Sequence, residues 1–251
     1  MPLLLKSKKP LRPQFLNHKS QINSYFYFYP MKKILIAAIL VSTLAMSPFK
    51  KTKVIFFGDS ITQMGIKPGG YVDCIQTAIN KKNLQEQYEF AGTGISGNKI
   101  YDLYLRIEED VLAKQPDVVF IYVGVNDVWH KATSGTGTDA DKFEIFYNAV
   151  VKKLQDNNIR VILCTPAAIG ERTDNTNQQD GDLNAYSNII RRIAQQKNCE
   201  LVDLRKQLLA YNLENNKENK ERGILTTDRV HLNDAGNQFA ADAMMTVLFS
   251  K

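Results

Sequence analysis

The sequence predicts an α/β fold in which a parallel sheet is wrapped by helices. Short apolar runs of about four to six residues alternate along the chain with longer segments that have helical spacing. Continuous apolar runs of this length are typical of strands that are buried on both faces, as in a parallel sheet. Their alternation with helices indicates repeated strand–helix–strand units, which form an α/β sandwich.

The order of the predicted elements follows from these patterns. Strands are predicted at residues 54–57, 88–91, 118–123, 160–164 and 201–202. Helices are predicted at residues 71–79, 100–112, 143–154, 183–194 and 233–249. The segment 118–123 has six apolar residues in a row, whereas 88–91 has a weaker pattern. No internal repeat and no linker rich in Pro or Ser interrupts this order, so residues 48–251 are predicted to form a single domain.

The net charge of the whole chain is misleading. The chain of 251 residues carries a formal +6, with 32 basic and 26 acidic residues. Seven of the basic residues precede Ser47 and no acidic residue precedes Asp59, which leaves 25 basic against 26 acidic, or about −1, for residues 48–251. The predicted domain therefore has no bulk charge that would favour binding to nucleic acid or to an anionic membrane.

Residues 31–47 have the pattern of a secretory signal peptide. Met31-Lys32-Lys33 gives a positive start, an apolar run follows at 34–46, and small residues lie near its end. The run is too short for a membrane span, which needs about 20 apolar residues. An uncleaved N-terminal anchor is the alternative, because no clean A-x-A cleavage site is present. Residues 1–30 show no period and are interpreted as an upstream extension, so the protein is predicted to be exported, periplasmic or secreted.

The cysteines do not indicate a metal or redox site. Cys74, Cys164 and Cys199 are far apart and contain no C-x-x-C pair. Cys164 lies within an apolar strand pattern and is interpreted as a buried free thiol, although one disulfide stays open for an exported protein.

A candidate nucleophile follows the first predicted strand. Ser60 lies in Gly58-Asp59-Ser60-Ile61-Thr62, on a tight turn for which Gly58 would supply conformational freedom. The arrangement resembles a nucleophile elbow, but Thr62 replaces the second glycine of G-x-S-x-G, which argues against an α/β-hydrolase. The alternative interpretation is a helix N-cap.

A candidate base and its carboxylate lie near the end of the chain. A serine hydroxyl needs an adjacent base, and an imidazole base needs a carboxylate on its other nitrogen. Of the three histidines, His18 precedes the domain, which leaves His130 and His231. Asp228 lies three residues before His231, so a single turn can bring the two side chains together. The alternative is an Asp that caps the last helix beside a surface histidine.

Three N–H donors are candidates for an oxyanion hole. Gly97 can offer a backbone N–H, Asn126 can offer its side-chain amide, and Ser60 can offer its own backbone N–H. All three follow predicted strands, where the ends of parallel strands gather working residues. Glycines and Asn-Asp pairs are also common turn residues, and the segment 92–97 has the weak outline of a phosphate-binding loop without its acidic partner.

These motifs together resemble the SGNH hydrolase (GDSL-like lipase/acylhydrolase) family in content and in order. The four blocks are residues 57–62, 92–97, 124–127 and 228–233, and the resemblance spans roughly residues 53–249. One departure is Gly92, where the second block usually begins with Asn.

The resemblance implies a flavodoxin-like three-layer α/β/α sandwich and ester hydrolysis through an acyl-enzyme, with no metal and no cofactor. In the implied reaction His231, oriented by Asp228, takes the proton of Ser60, and Ser60, Gly97 and Asn126 hold the oxyanion.

Three further residues are candidates for substrate binding. Trp129, the only tryptophan, follows the Asn126 block, where it would stack on a sugar or instead pack against the next helix. Asp59 precedes the nucleophile, and Glu171 lies in the polar stretch 167–182, which would either overhang the site or be a solvated loop.

Three functions remain open at this point. The first is an exported esterase for short-acyl esters such as O-acetylated carbohydrate. The second is a lipolytic acylhydrolase, such as a lysophospholipase or acetylhydrolase. The third is a non-catalytic carbohydrate-binding protein on the same fold. The expected partner is a small-molecule or carbohydrate ester, with no nucleic acid, and the sequence does not indicate an oligomeric state.

Overall fold

Five parallel strands form the central sheet of residues 50–250, the part of the chain that the computed structural model describes. The strands are β1 (Thr52–Gly58), β2 (Tyr88–Gly94), β3 (Val118–Tyr122), β4 (Arg160–Cys164) and β5 (Glu200–Val202). They pair in the order β2-β1-β3-β4-β5, and every neighbouring pair is parallel. The predicted strands are confirmed, and β2 runs further than predicted because Gly92, Thr93 and Gly94 stay in register with β1.

Eight α-helices connect and follow the strands within residues 50–250. They are α1 (Ser60–Gly65), α2 (Tyr71–Lys81), α3 (Ile100–Asp110), α4 (Val125–Thr133), α5 (Ala140–Asp156), α6 (Asp180–Gln196), α7 (Leu204–Asn215) and α8 (Asp234–Leu248). A 3₁₀ turn, Leu112–Lys114, follows α3. The five predicted helices are present, whereas α1, α4 and α7 were not predicted.

The helices cover both faces of the sheet. Helices α2 and α8 pack against each other, whereas α3, α5 and α6 form a second group through α3–α5 and α5–α6 contacts. All four residues 54–57 of β1 are fully buried, so neither face of this central strand meets solvent. The resulting three-layer α/β/α sandwich is the fold that the sequence predicted.

The carboxyl ends of β1, β2 and β3 bring three predicted site segments to one edge of the sheet. Gly58 at the end of β1 pairs with Gly94 of β2 and with Tyr122 of β3. The turns that carry Ser60 and Asn126 begin directly after these positions, and the turn with Gly97 follows β2. Parallel strands thus place residues that are distant in sequence side by side.

Two predictions concern residues at or beyond the limits of this description. The upstream extension at 1–30 and the signal peptide or anchor at 31–47 lie outside the described residues. Across residues 50–250 no helix combines the length and apolar character that a membrane crossing requires.

The three cysteines are free thiols, and Cys164 is fully buried, as its strand pattern predicted.

Candidate active site

Ser60 is the first residue of α1 and lies directly beyond the end of β1. Its side chain is largely buried, with 7% of the residue exposed. Asp59 caps the helix, because its carboxylate accepts a hydrogen bond from Ile61 N at 3.0 Å. Because the first N–H groups of a helix have no partner within the helix, the Ser60 N–H is free to serve an incoming oxygen.

Gly58 is required at this turn because a side chain would not fit, and not because of its backbone conformation. It is not among the glycines with positive φ. A Cβ at this position would lie 2.3 Å from the Tyr122 carbonyl oxygen and 2.4 Å from Thr62 Oγ1. The glycine therefore permits the close approach of β1, β3 and α1 that brings the Ser60 turn to the sheet edge.

His231 connects Ser60 to a carboxylate. Its Nε2 lies 2.9 Å from Ser60 Oγ, and its Nδ1 lies 2.7 Å from Asp228 Oδ2. Asp228 Oδ1 also accepts the backbone N–H groups of Val230 and His231, at 3.1 and 2.8 Å. These bonds orient the imidazole so that its Nε2 faces the hydroxyl.

The ionisation of Asp228 suits this arrangement. Partial burial raises the pKa of the Asp228 carboxyl, but hydrogen bonds from the His231 ring, the His231 N–H and the Val230 N–H outweigh burial and hold the pKa below its usual range. The group is therefore ionised at neutral pH. Asp228 is not the cap of the last helix: Asn233 caps α8 and accepts Gly236 N at 2.9 Å.

The turn with Gly97 packs against the Ser60 turn. Ile95 N donates to the Gly58 carbonyl oxygen at 3.2 Å, which joins the two turns. Gly97 has φ 78°, in the left-handed region that favours glycine. Gly92 and Gly94 lie within β2, so the chain turns only after the strand ends and does not form a phosphate loop of the G-x-G-x-x-G kind.

Asn126 lies in the first turn of α4, which begins after the left-handed Gly124, φ 125°. Asn126 is only 2% exposed, and its Nδ2 donates a hydrogen bond to the Asn98 carbonyl oxygen at 3.1 Å. An amide NH₂ has two hydrogens, so the second remains for a ligand oxygen. The bond ties Asn126 to the residue that follows Gly97, and the three predicted oxyanion donors are thus held on neighbouring turns.

Trp129 lies beside His231. Its ring centroid is 6.4 Å from that of His231 with an interplanar angle of 71°, an edge-to-face contact. The residue is half-buried, so it is not enclosed in the core. The position allows a sugar ring or an acyl group to contact the indole.

Asp59 and Glu171 are not positioned to bind substrate, contrary to the sequence-based expectation. Each is only 1% exposed. Asp59 faces inward as the helix cap. The Glu171 carboxylate accepts backbone N–H groups of Ile224, Leu225 and Thr226, at 2.9, 2.6 and 3.0 Å. Glu171 thereby holds the segment that leads into Asp228 and His231, and sequence patterns carry no signal for such a long-range contact.

The segment after β4 is largely folded against the rest of the protein and is not simply a solvated loop. Gly170 N donates to the Arg229 carbonyl oxygen at 2.8 Å, beside the Asp228–His231 turn. Arg205, 1% exposed, donates to the Ala167 carbonyl oxygen at 3.2 Å and to Asp180 at 2.6 Å.

Across residues 50–250 no group of three or more His, Cys, Asp or Glu side chains is arranged to hold a metal ion.

Two buried carboxyls lie on the turns that carry Ser60 and Asn126. Burial raises the pKa of Asp127 to about 7, opposed by the hydrogen bond that the Ile100 N–H donates to Asp127 Oδ1 at 3.2 Å. Burial likewise raises the pKa of Asp59 to about 7, opposed by the Ile61 N–H and reinforced by repulsion from Asp127. Both groups are thus poised to change charge near neutrality.

We expect Asp127→Asn to stabilise the protein increasingly as pH rises. Between pH 3.8 and about 7 the folded state keeps a proton on Asp127 that the unfolded state has lost, so wild-type stability falls as pH rises through this window. The asparagine side chain of the variant carries no charge and lacks this loss. The Tm of the variant minus that of wild type should therefore be larger at pH 8 than at pH 5, with roughly 2–4 °C for each kcal/mol. A difference that is constant or shrinks with pH would contradict the assignment.

We expect Glu171→Gln to weaken both the fold and the turnover number. Gln keeps the size but loses the charge and turns an NH₂ group towards backbone N–H donors, which costs about 1.5–3 kcal/mol. Because the affected segment carries Asp228 and His231, kcat should fall even well below the Tm. Glu214→Gln, at an exposed position of α7, is the control for both measurements. An unchanged kcat would show that Glu171 stabilises the fold without positioning the catalytic turn.

Comparisons with known proteins agree with this geometry. A sequence profile of the GDSL-like lipase/acylhydrolase family matches residues 56–239. An acetylxylan esterase of Geobacillus stearothermophilus is 29% identical over 211 residues, which are 77% of this chain and 92% of that protein. The crystal structure of the acetyl xylan esterase AlAXEase is 66% identical, with a TM-score of 0.78, and the match covers 78% of this chain and all of that one. A solved acetylxylan esterase of Geobacillus stearothermophilus is 26% identical with a TM-score of 0.70, over 81% of this chain and 97% of that one.

The family profile covers well over half of the chain, and it includes the Ser60, Gly97, Asn126 and His231 segments. The two solved structures described above are named as acetyl xylan esterases. The chain therefore belongs to the GDSL-like lipase/acylhydrolase (SGNH) family and is a carboxylic ester hydrolase of that type.

Proposed function

We propose that the protein is an acetyl esterase that removes acetyl groups from the hydroxyls of a xylan-type carbohydrate by a serine mechanism. The observation that carries the substrate class is the 66% identity to an acetyl xylan esterase, over the whole length of that enzyme. The chemistry is supported by the unbroken hydrogen-bonded connection from Ser60 through His231 to Asp228.

The acylation step begins at Ser60 Oγ. His231 Nε2 takes the hydroxyl proton as the oxygen attacks the acetyl carbonyl carbon, and a C–O bond forms to give a tetrahedral intermediate. The ionised Asp228 stabilises the imidazolium that results. When the bond to the sugar oxygen breaks, His231 returns the proton to that oxygen and the carbohydrate alcohol leaves.

The oxyanion of the intermediate is held by the Ser60 N–H, the Gly97 N–H and the Asn126 amide. These donors are fixed by α1, by the left-handed Gly97 turn and by α4, so they need little reorganisation when charge develops. In the second half-reaction His231 takes a proton from water as the water oxygen attacks the acetyl carbonyl carbon. His231 then returns the proton to Ser60 Oγ as the bond between the acetyl carbon and Ser60 breaks, and acetate leaves.

Two features of the site support a carbohydrate leaving group. The half-buried Trp129 ring beside His231 offers an apolar platform of the kind on which sugar rings stack. The segment after β4 near the catalytic turn is polar, with Arg172, Thr176 and Gln178 around a cavity that Arg229 also lines. Such a surface suits a hydroxyl-rich substrate better than a long acyl chain.

We also propose that the enzyme acts outside the cytoplasm, because residues 31–47 have the order of charge, apolar run and small residues of a signal peptide. A polymeric carbohydrate substrate would be met there. N-terminal sequencing of the enzyme recovered from the native host checks this: a mature chain that starts near residue 48 is expected, and a cytoplasmic chain that retains residues 31–47 would contradict it.

We expect Ser60→Ala to abolish ester turnover while leaving the fold intact. Removal of the nucleophile should lower kcat by roughly 10⁴-fold or more, whereas Ser134→Ala, an exposed serine, should change nothing. Both variants and wild type would be assayed on p-nitrophenyl acetate, butyrate and octanoate and on acetylated xylooligosaccharides. Equal rates for Ser60→Ala and wild type would contradict the serine mechanism.

The same assay separates the substrate classes. The proposal predicts that kcat/KM falls with acyl length and that acetate is released from the acetylated oligosaccharide. A preference for octanoate, with no release of acetate from the oligosaccharide, would instead identify a lipolytic enzyme.

A further inference from the structure

Arg106 of α3 lies under the turns that carry the proposed oxyanion donors. Its side chain is only 15% exposed, and its guanidinium carbon lies 4.6 Å from the centroid of the Phe57 ring, near the end of β1. A guanidinium carries five N–H donors in a rigid plane, which suits it to bridging several acceptors at once.

The guanidinium uses its three nitrogens on three different segments. Nε donates to Asn98 Oδ1 at 2.7 Å, and Nη2 donates to the Gly58 carbonyl oxygen at 2.8 Å. Nη1 donates to the Thr93 carbonyl oxygen at 2.8 Å and to Asp110 Oδ2 at 2.5 Å. Asp110 lies one turn further along α3, so this ion pair fixes the arginine on its helix, whereas the other bonds join the helix to the sheet edge.

Two of the three acceptors outside α3, Gly58 and Asn98, lie within two residues of a proposed oxyanion donor. The Gly58 carbonyl precedes Ser60 by two residues, and Asn98 directly follows Gly97. The Asn98 backbone carbonyl in turn accepts the Asn126 amide at 3.1 Å. A single guanidinium thus binds residues next to all three donors. Ser60 is two residues from Gly58, Gly97 is adjacent to Asn98, and the Asn126 amide is hydrogen-bonded to Asn98.

We propose that Arg106 is a positioning residue for the oxyanion hole, one that sets the spacing of the three donors without touching the substrate. The inference rests on the proposed serine mechanism, because only a developing oxyanion needs that spacing. Donors aimed at the oxyanion act on the transition state far more than on the bound ester. Loss of the guanidinium should therefore lower kcat and leave KM nearly unchanged.

Arg160 provides a matched control at the amino end of the strands, opposite to the end that carries Ser60. It begins β4, its side chain is 24% exposed, and it pairs with Glu200 while donating to the Val247 and Leu248 carbonyl oxygens. Arg160→Ala also removes four hydrogen bonds, two to β5 and two to α8, but at the end of the strands opposite to Ser60. The two arginines thus separate a loss of stability from a loss of positioning.

The experiment compares wild type with Arg106→Ala, Arg106→Lys and Arg160→Ala on p-nitrophenyl acetate, well below each Tm. We expect kcat of both Arg106 variants to fall roughly 100-fold with KM within a few-fold, the scale expected for displaced catalytic groups. Inhibition by a boronic acid that forms a tetrahedral adduct with Ser60 should weaken by a similar factor. Arg160→Ala should lose stability yet keep kcat within a few-fold.

Added guanidinium sharpens the test. About 50 mM guanidinium chloride, far below the molar range that unfolds proteins, should restore part of kcat to Arg106→Ala but not to Arg106→Lys, whose side chain fills the space.

The proposal is overturned if Arg106→Ala retains wild-type kcat, or if Arg160→Ala loses kcat equally. Arg106→Lys decides the same comparison if the alanine variant does not fold. Wild type and Ser60→Ala in the same assay reveal a failure of the serine mechanism itself, with which the Arg106 inference would also fall.

Discussion

The 2.9 Å contact between Ser60 Oγ and His231 Nε2 joins two turns that are 171 residues apart in the chain. The sheet fixes the position of Ser60, because β1 is paired with β2 and β3 up to its last residue, Gly58. The other side is a segment without regular structure, which must be held by specific bonds. The Glu171 carboxylate and the Asp228 turn provide them. The active site therefore depends on long-range hydrogen bonds as much as on the sheet.

The three proposed oxyanion donors depend on the carboxyl ends of the strands in a different way. They come from the ends of three neighbouring strands, which parallel pairing brings together, but pairing alone does not fix distances between turns. Hydrogen bonds from Ile95 N to Gly58 and from Asn126 to Asn98 complete the arrangement. The buried carboxyls of Asp59 and Asp127 stand on the same turns, so the site combines donors for an anion with acidic groups whose charge is suppressed by burial.

The sequence predicted what local patterns encode. The buried strands were visible as apolar runs. Ser60, Asp228 and His231 were chosen as candidates by residue type and spacing, and the structure brings them within hydrogen-bonding distance. Helix α7 was missed because it buries two polar residues, Arg205 and Asn212, beside its leucines, which breaks the apolar period. The substrate-binding expectations for Asp59 and Glu171 were wrong, because both carboxylates are buried against backbone N–H groups instead of facing solvent. Arg106 gave no signal, since three of its four acceptors belong to segments that are distant in sequence or outside its helix, and two of these are backbone carbonyls at strand ends.

Covalent trapping tests directly whether Ser60 is a nucleophile that His231 activates. The enzyme would be incubated with diethyl p-nitrophenyl phosphate, and the labelled peptide would be identified by mass spectrometry, in wild type and in His231→Asn. We expect one diethylphosphoryl group per chain, attached to Ser60, and much slower labelling of the variant. A label on another residue, or equally fast labelling without His231, would contradict it.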